Sequence, residues 1–292
     1  MRDLKPQAAL EEAVCCVPDV EWSIKVIDIV DHTVVFSVAP GRILKTASLA
    51  KVMLLLEVAA RFEDGTLDEE ELVDRSSVAR VEDSGLWRHL RVKELPLIDA
   101  AVLVAAVSDN WATNVLLHRV GLDAVQARSR TLGYPESRLE DYVRDVRGPD
   151  VPPTISLGRA RDWVDILARM HRRQLVSVAV DSRVEGWLGG SVDLSMVAAP
   201  FRLDPLVHEA KSGGLNVHNK TGTDEGVRAD AGLIIGNRSL AYCAIANWTP
   251  ELDRVDAVLD GMNAIGWFLR RWAHATPPSP DPAEGKRHPP VQ

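Results

Sequence analysis

Four side chains set the chemistry open to this chain: Ser48, Lys51, Ser108 and Lys220. Ser48 and Lys51 stand three apart in Ser48-Leu49-Ala50-Lys51, opening a run over 48–65 that reads as a helix. Residues three apart on a helix share a face, so the ammonium can approach the hydroxyl. A serine at a helix N-terminus also feels the positive end of the dipole, which favours negative charge growing on its oxygen. A lysine buried there beside another cation loses its proton near neutral pH and can act as base to a nucleophilic serine. The bland alternative is an N-capping serine with a lysine reaching for water, so the motif decides nothing alone.

Two further motifs follow. Ser108-Asp109-Asn110 breaks two apolar helical runs. It reads either as an N-cap or as a polar cluster in which Ser108 relays a proton and Asn110 holds a substrate amide. Lys220-Thr221-Gly222 falls in a strand-like run. A strand glycine admits a ligand's backbone closely, and the lysine offers a cation to a carboxylate. Its plain alternative is an exposed strand lysine.

These residues need elements to carry them. Residues 3–16 read as a helix. Trp22, Ile24 and Val26 alternate with Ser23 and Lys25 in a half-buried strand, then the phase changes at Ile27, which predicts a bulge or twist. Asp31-His32 turns the chain into a second strand over 33–39. The helix at 48–65 is apolar nearly all round, so other elements must enclose it. Helices follow at 94–107, 110–120, 122–132 and 155–173, with a proline-ended loop before the last. Three strands after residue 214 and a helix over 252–273 complete the order, and the proline-rich tail, 276–292, is expected to be disordered. The pattern predicts an α/β chain: one five-stranded antiparallel sheet lobe from 1–45 and 198–275, and a helical lobe from 46–197, with a cleft between them.

Composition narrows the function. A chain of 292 residues that is 46% hydrophobic can bury a core. Its formal charge of −8 argues against nucleic acid or acidic membrane surfaces as partners. No apolar run is long enough to span a membrane. The start of the sequence has no signal-peptide pattern, and Cys15, Cys16 and Cys243 suit neither a disulfide framework nor a zinc site. A cytoplasmic monomer acting on a small molecule, with no cofactor or metal, is the expectation.

Taken together, in this order and at these separations, the three motifs resemble the signature of class A β-lactamases and penicillin-binding proteins. The segments EDGTLD (63–68), DSGLW (83–87), VSDNWATNVLLHRVG (107–121) and HNKTGTDEGVRADAGLI (218–234) are similar as well, so the resemblance covers about residues 20–270. It implies that Ser48 is acylated with Lys51 as proton partner, and that Ser108 passes the proton to the departing nitrogen. Asn110 binds the substrate's side-chain amide. Lys220 and Thr221 take its carboxylate with Thr223 or Arg228, and the N–H groups of Ser48 and Thr223 form the oxyanion hole. Gly222 completes the strand motif, and Trp87 resembles a residue flanking the cleft entrance, with a core tryptophan as the alternative.

One departure touches the second half of the reaction. The family's Glu-x-x-Leu-Asn motif supplies the base for deacylation. Counting forward from Arg138-Leu139 puts Val143 at the glutamate position, whereas counting back from Thr154-Ile155-Ser156 puts Glu140 there. Asp141, Asp145 or the substrate itself are the substitutes. The resemblance thus implies a serine hydrolase of β-lactams or similar cyclic amides and esters. An intracellular peptidase, esterase or acyl transferase is one alternative, and a penicillin-binding sensor that stays acylated is another. The eight histidines are scattered, and only His218 shares the Lys220 face by strand alternation.

Overall fold

The computed structural model describes residues 5–205 and 214–275. The expected disordered tail lies outside them. The chain opens with helix α1 (Lys5–Cys15), strand β1 (Val20–Asp28) and strand β2 (Val34–Val38). After the two-residue strand β3 (Leu44–Lys45) and a 3-10 turn, Ala47–Ala50, comes α2 (Lys51–Glu63). A short pair, β4 (Leu72–Asp74) and β5 (Glu94–Pro96), leads into α3 (Leu97–Val107), α4 (Asn110–Val120) and α5 (Leu122–Thr131). Then follow β6 (Arg138–Leu139), β7 (Ser156–Gly158), α6 (Ala160–His171) and α7 (Val178–Gly189). Three long strands, β8 (Asn216–Asp224), β9 (Val227–Ile235) and β10 (Leu240–Trp248), precede α8 (Val255–His274).

The sheet order is β2-β1-β10-β9-β8, antiparallel throughout. Its inner seam joins the two ends of the chain: β1 pairs with β10 from Val20↔Trp248 to Asp28↔Leu240. Between Val26 and Ile27 the register of β1 against β2 shifts, with the extra residue, Val35, on β2. Trp22, Ile24 and Val26 pack with Leu10 and Val14 of α1 and Met262 and Phe268 of α8. Ile27 and Ile29 face the other way, into the core of the helical insertion. β1 keeps its register with β10 throughout, so ordinary alternation sets Ile27 and Ile29 opposite Trp22, Ile24 and Val26, and one strand serves both cores.

Helix α2 is the axis of that second core. Leu54, Leu55 and Leu56 are all fully buried, each side chain contributing about 2 kcal/mol by leaving water. Three consecutive buried leucines cannot lie on one face, which is why α3, α4, α5 and α7 surround this helix. Its one buried acid, Glu57, is held by Arg61 at 2.8 Å and Arg128 at 2.9 Å. β8 is an edge strand of the sheet, and it runs against the 3-10 turn that starts α2.

The sequence leaves α7 and the short pairs β3–β7, β6–β7 and β4–β5 unmarked. Strands of two or three residues carry no alternation to detect. Residues 155–173, read as one helix, divide into β7 and α6, which starts at Ala160.

Candidate active site

A cleft of about 1600 Å³ lies between the β8 edge and the helical insertion. Ser48, Ser108, Asn110, Lys220, Thr221, Thr223 and Arg228 all line it. Three elements bring them together: the turn before α2, the α3–α4 junction, and β8 with its neighbour β9.

Lys51 is fully buried, one turn after Ser48. Its Nζ donates to the Ser108 carbonyl at 2.8 Å, to Ser108 Oγ at 3.3 Å and to Asn110 Oδ1 at 2.7 Å. Burial, then the charge of Lys220, hold its pKa well below the usual lysine value, and Asp109 and Asp83 only partly offset them. A lysine so placed can be neutral at working pH and accept a proton.

The α3–α4 junction is shaped by backbone and cap together. Ser108 ends α3 in the left-handed region, φ 56°, which turns its side chain out of the helix line. Asp109 caps α4, accepting from Ala112 N at 2.9 Å, and its other oxygen accepts from Trp87 N at 2.8 Å. The capping reading of the motif is thus true of its middle residue. Asn110 gives its oxygen to Lys51, which leaves its NH2 group as the donor it can offer a ligand carbonyl.

Lys220 is buried on β8, its Nζ donating to Thr221 O at 2.8 Å. Burial lowers its pKa to about 8 against the opposing charges of Asp193 and Asp230. Thr223 pairs in register with Arg228 on β9, whose guanidinium donates to Asp224 O at 3.0 Å and Val227 O at 2.8 Å. Gly222 does not line the cleft. A Cβ there would collide with Thr46 O and come within 3.0 Å of Ser48 N and Leu49 N. The close approach it permits is that of the chain's own nucleophile turn, not a ligand's backbone.

Two further expectations are corrected. Trp87 is fully buried in the helical core, its Nε1 donating to Val92 O at 3.2 Å, and it does not flank the cleft. Glu140 does not line the cleft either: its N–H bonds Ile155 O at 2.8 Å and its carboxylate pairs with Arg138 at 2.7 Å. Asn114, one turn beyond Asn110 on α4, instead clasps the backbone of Val143 through two bonds of 2.9 Å. Val143 is therefore the loop residue pinned to α4, one turn beyond Asn110. Asp141 is taken up by Arg144 and Arg147, each at 2.8 Å.

His218 also leaves the cleft. It lies beside Glu185 of α7, at 3.6 Å, in a cluster with His171 and Arg173. Burial would raise the Glu185 pKa, but the hydrogen bonds of His171 and Arg173, with His218 nearby, outweigh it and hold the carboxyl well below its usual range. Asp193, which sequence reasoning missed, lines the cleft beside Lys220 and Thr221, and burial opposes the hydrogen bonds that lower its pKa. It sits in a loop with no motif of its own, and only the fold brings it to the lysine.

Among solved structures, a β-lactamase from Sphaerobacter thermophilus DSM 20745 is similar with a TM-score of 0.79 at 22% identity, over 95% of this chain and 100% of that one. A β-lactamase from Chitinophaga pinensis DSM 2588 gives 0.77 at 14% identity, over 92% and 99%. PBP-A gives 0.75 at 15%, over 91% and 96%. At these identities the likeness is one of fold. Comparison with curated proteins finds none that matches. The sequence model described as the β-lactamase enzyme family matches residues 7–258, most of the chain. With that match and the cleft it encloses, the chain belongs to the β-lactamase enzyme family.

Proposed function

We propose that the chain opens β-lactams, or cyclic amides and esters of similar strain, through an ester on Ser48. The family and the fold make it a β-lactamase-like serine hydrolase. The observation that carries the residue-level reading is the buried Lys51, hydrogen-bonded to Ser108 on one side and following Ser48 by a single turn. Ser48 Oγ attacks the carbonyl carbon while Lys51 takes its proton. The C–N bond then breaks, and Ser108 passes a proton, replenished from Lys51, to the departing nitrogen. The N–H groups of Ser48 and Thr223 receive the oxyanion, Asn110 donates to the acyl side-chain carbonyl, and Lys220 with Arg228 binds the carboxylate. Water then cleaves the ester and restores the Ser48 hydroxyl.

All of these groups come from one chain, which supports a monomer as the working unit. The variant of PBP-A solved as an acyl-enzyme complex with penicillin G, 16% identical with a TM-score of 0.71 over 91% of this chain and 97% of that one, makes penicillin G a suitable probe. The test is turnover of a chromogenic cephalosporin alongside the intact mass of enzyme mixed with penicillin G. Turnover with a transient single adduct is the expected result. Hydrolysis of simple esters with neither adduct nor lactam turnover would move the assignment to an esterase.

A further inference from the structure

The residue before the nucleophile adopts a conformation that alanine resists. Ala47 has φ 46°, in the left-handed region that non-glycine residues rarely enter. Such a residue persists only where its surroundings over-determine it. Here the surroundings are two hydroxyls, of Thr46 and Ser156, both fully buried and neither lining the cleft.

Ser156 Oγ donates to the carbonyl oxygen of Ala47 at 2.6 Å. Its single hydrogen is thereby committed, so Thr46 Oγ1, 2.7 Å away, is the donor to Ser156 Oγ. The Thr46 N–H in turn donates to Ser156 O at 3.3 Å, and Thr154 Oγ1 donates to the same oxygen at 3.2 Å. The chain of donors runs Thr46 O–H, Ser156 O–H, Ala47 C=O. That carbonyl and the N–H of Ser48 belong to one planar peptide unit, so holding one end sets the direction of the other. A hydrogen bond at the carbonyl also polarises the peptide and strengthens its N–H as a donor.

We infer that Ser156 is a positioning residue for acyl transfer: through the Ala47 carbonyl its hydroxyl aims the Ser48 N–H at the substrate oxyanion, with Thr46 as its own donor. This rests on the reading of the Ser48 N–H as half of the oxyanion hole. Ser156 acts from β7, on the side of the peptide away from the substrate, and touches no reacting atom.

Ser156→Ala, Ser156→Thr and Thr46→Val are compared with the wild type, using penicillin G. Three quantities are read: the acylation rate at saturation, the concentration for half-saturation, and the infrared carbonyl band of the Ser48 ester. Removing an oxyanion donor costs about 10²–10³ in rate, so a donor left in place but unaimed is expected to lose about 10–100-fold in Ser156→Ala. Half-saturation should change little, and the ester band should rise in frequency and broaden as its hydrogen bond weakens. Ser156→Thr, which keeps the hydroxyl, should recover most of the rate and the band. Thr46→Val removes only the outer donor, and its loss should be a few-fold. A wild-type rate and band in Ser156→Ala overturns the inference. So does a loss of melting temperature and rate with an unmoved band, which is what a purely structural bond produces. If Ser156→Ala does not fold, an unmoved band in Thr46→Val overturns it equally. Absence of any Ser48 ester in the wild type defeats the underlying reading instead, and shows itself before any variant is made.

Discussion

Asn110 accepts from Lys51 through its side-chain oxygen at 2.7 Å, in a cleft where the lysine itself is wholly buried. The amide oxygen is neutral, so it orients the amine without fixing its charge. Asn110→Asp places an anion of the same shape against Lys51 and favours the ammonium form. Because the base must be neutral, the acidic limb of the acylation rate is expected to move up by about 1–2 pH units, as is typical of a close opposite charge. Stopped-flow acylation from pH 5 to pH 9 measures it, and an unmoved limb would remove Lys51 as the base.

Lys220 sets the other side of the profile. Its pKa, lowered by burial to about 8, means that its charge fades as pH rises through that value. Substrates that carry a carboxylate should therefore show KM rising above pH 8 while kcat holds. An arginine keeps its charge over this range, so Lys220→Arg should weaken binding at pH 7 but abolish the alkaline rise. An alkaline limb common to Lys220→Arg and the wild type would assign it to another group.

Deacylation should be the slow step. Around the loop before β7, the carboxylates of Glu140 and Asp141 are both engaged by arginines, and Asp145 accepts the Glu82 N–H at 3.0 Å. Val143, held by Asn114, brings no base to the Asn110 face. A burst of about one product per chain is expected, followed by slower turnover, the fingerprint of an accumulating acyl-enzyme. Glu140→Gln should alter the steady rate less than about twofold, as a substitution away from the chemistry does. A tenfold fall in that variant would return Glu140 to the reaction.

Gly222 answers a packing question with a functional consequence. Its α-hydrogen faces Thr46 O and the nucleophile turn, and a methyl group there has no room. Gly222→Ala should cost about 1–3 kcal/mol of stability, the usual cost of overpacking, and push the Ser48 turn from β8. Denaturant unfolding and acylation rate together check this. A variant with both values unchanged would show that the turn and the strand are free to part.

The sequence carried most of this site because its chemistry sits in short contiguous motifs. Ser48 with Lys51, Ser108 with Asn110, and Lys220 with Thr221 are each local, and the five long strands show by their alternation at both ends of the chain. The change of apolar pattern at Ile27 marked where β1 and β2 shift register, although the extra residue, Val35, lies on β2. What could not be read depends on long-range placement. Asp193 and Ser156 have no distinctive neighbours, and these two, like Asn114, acquire their partners only when segments well apart in sequence are packed together. Trp87 shows the converse: a residue beside a motif-like segment went to the core, since its large apolar surface is better buried than left at a cleft mouth.

Locating the covalent bond decides whether Ser48 is the nucleophile. Enzyme quenched during turnover of penicillin G, digested and sequenced by mass spectrometry, is expected to carry one acyl group on the peptide containing Ser48, and Ser48→Ala is expected to carry none and to lose turnover by at least about 10³-fold. An acyl group on another residue, or turnover that persists undiminished in Ser48→Ala, would remove Ser48 as the nucleophile.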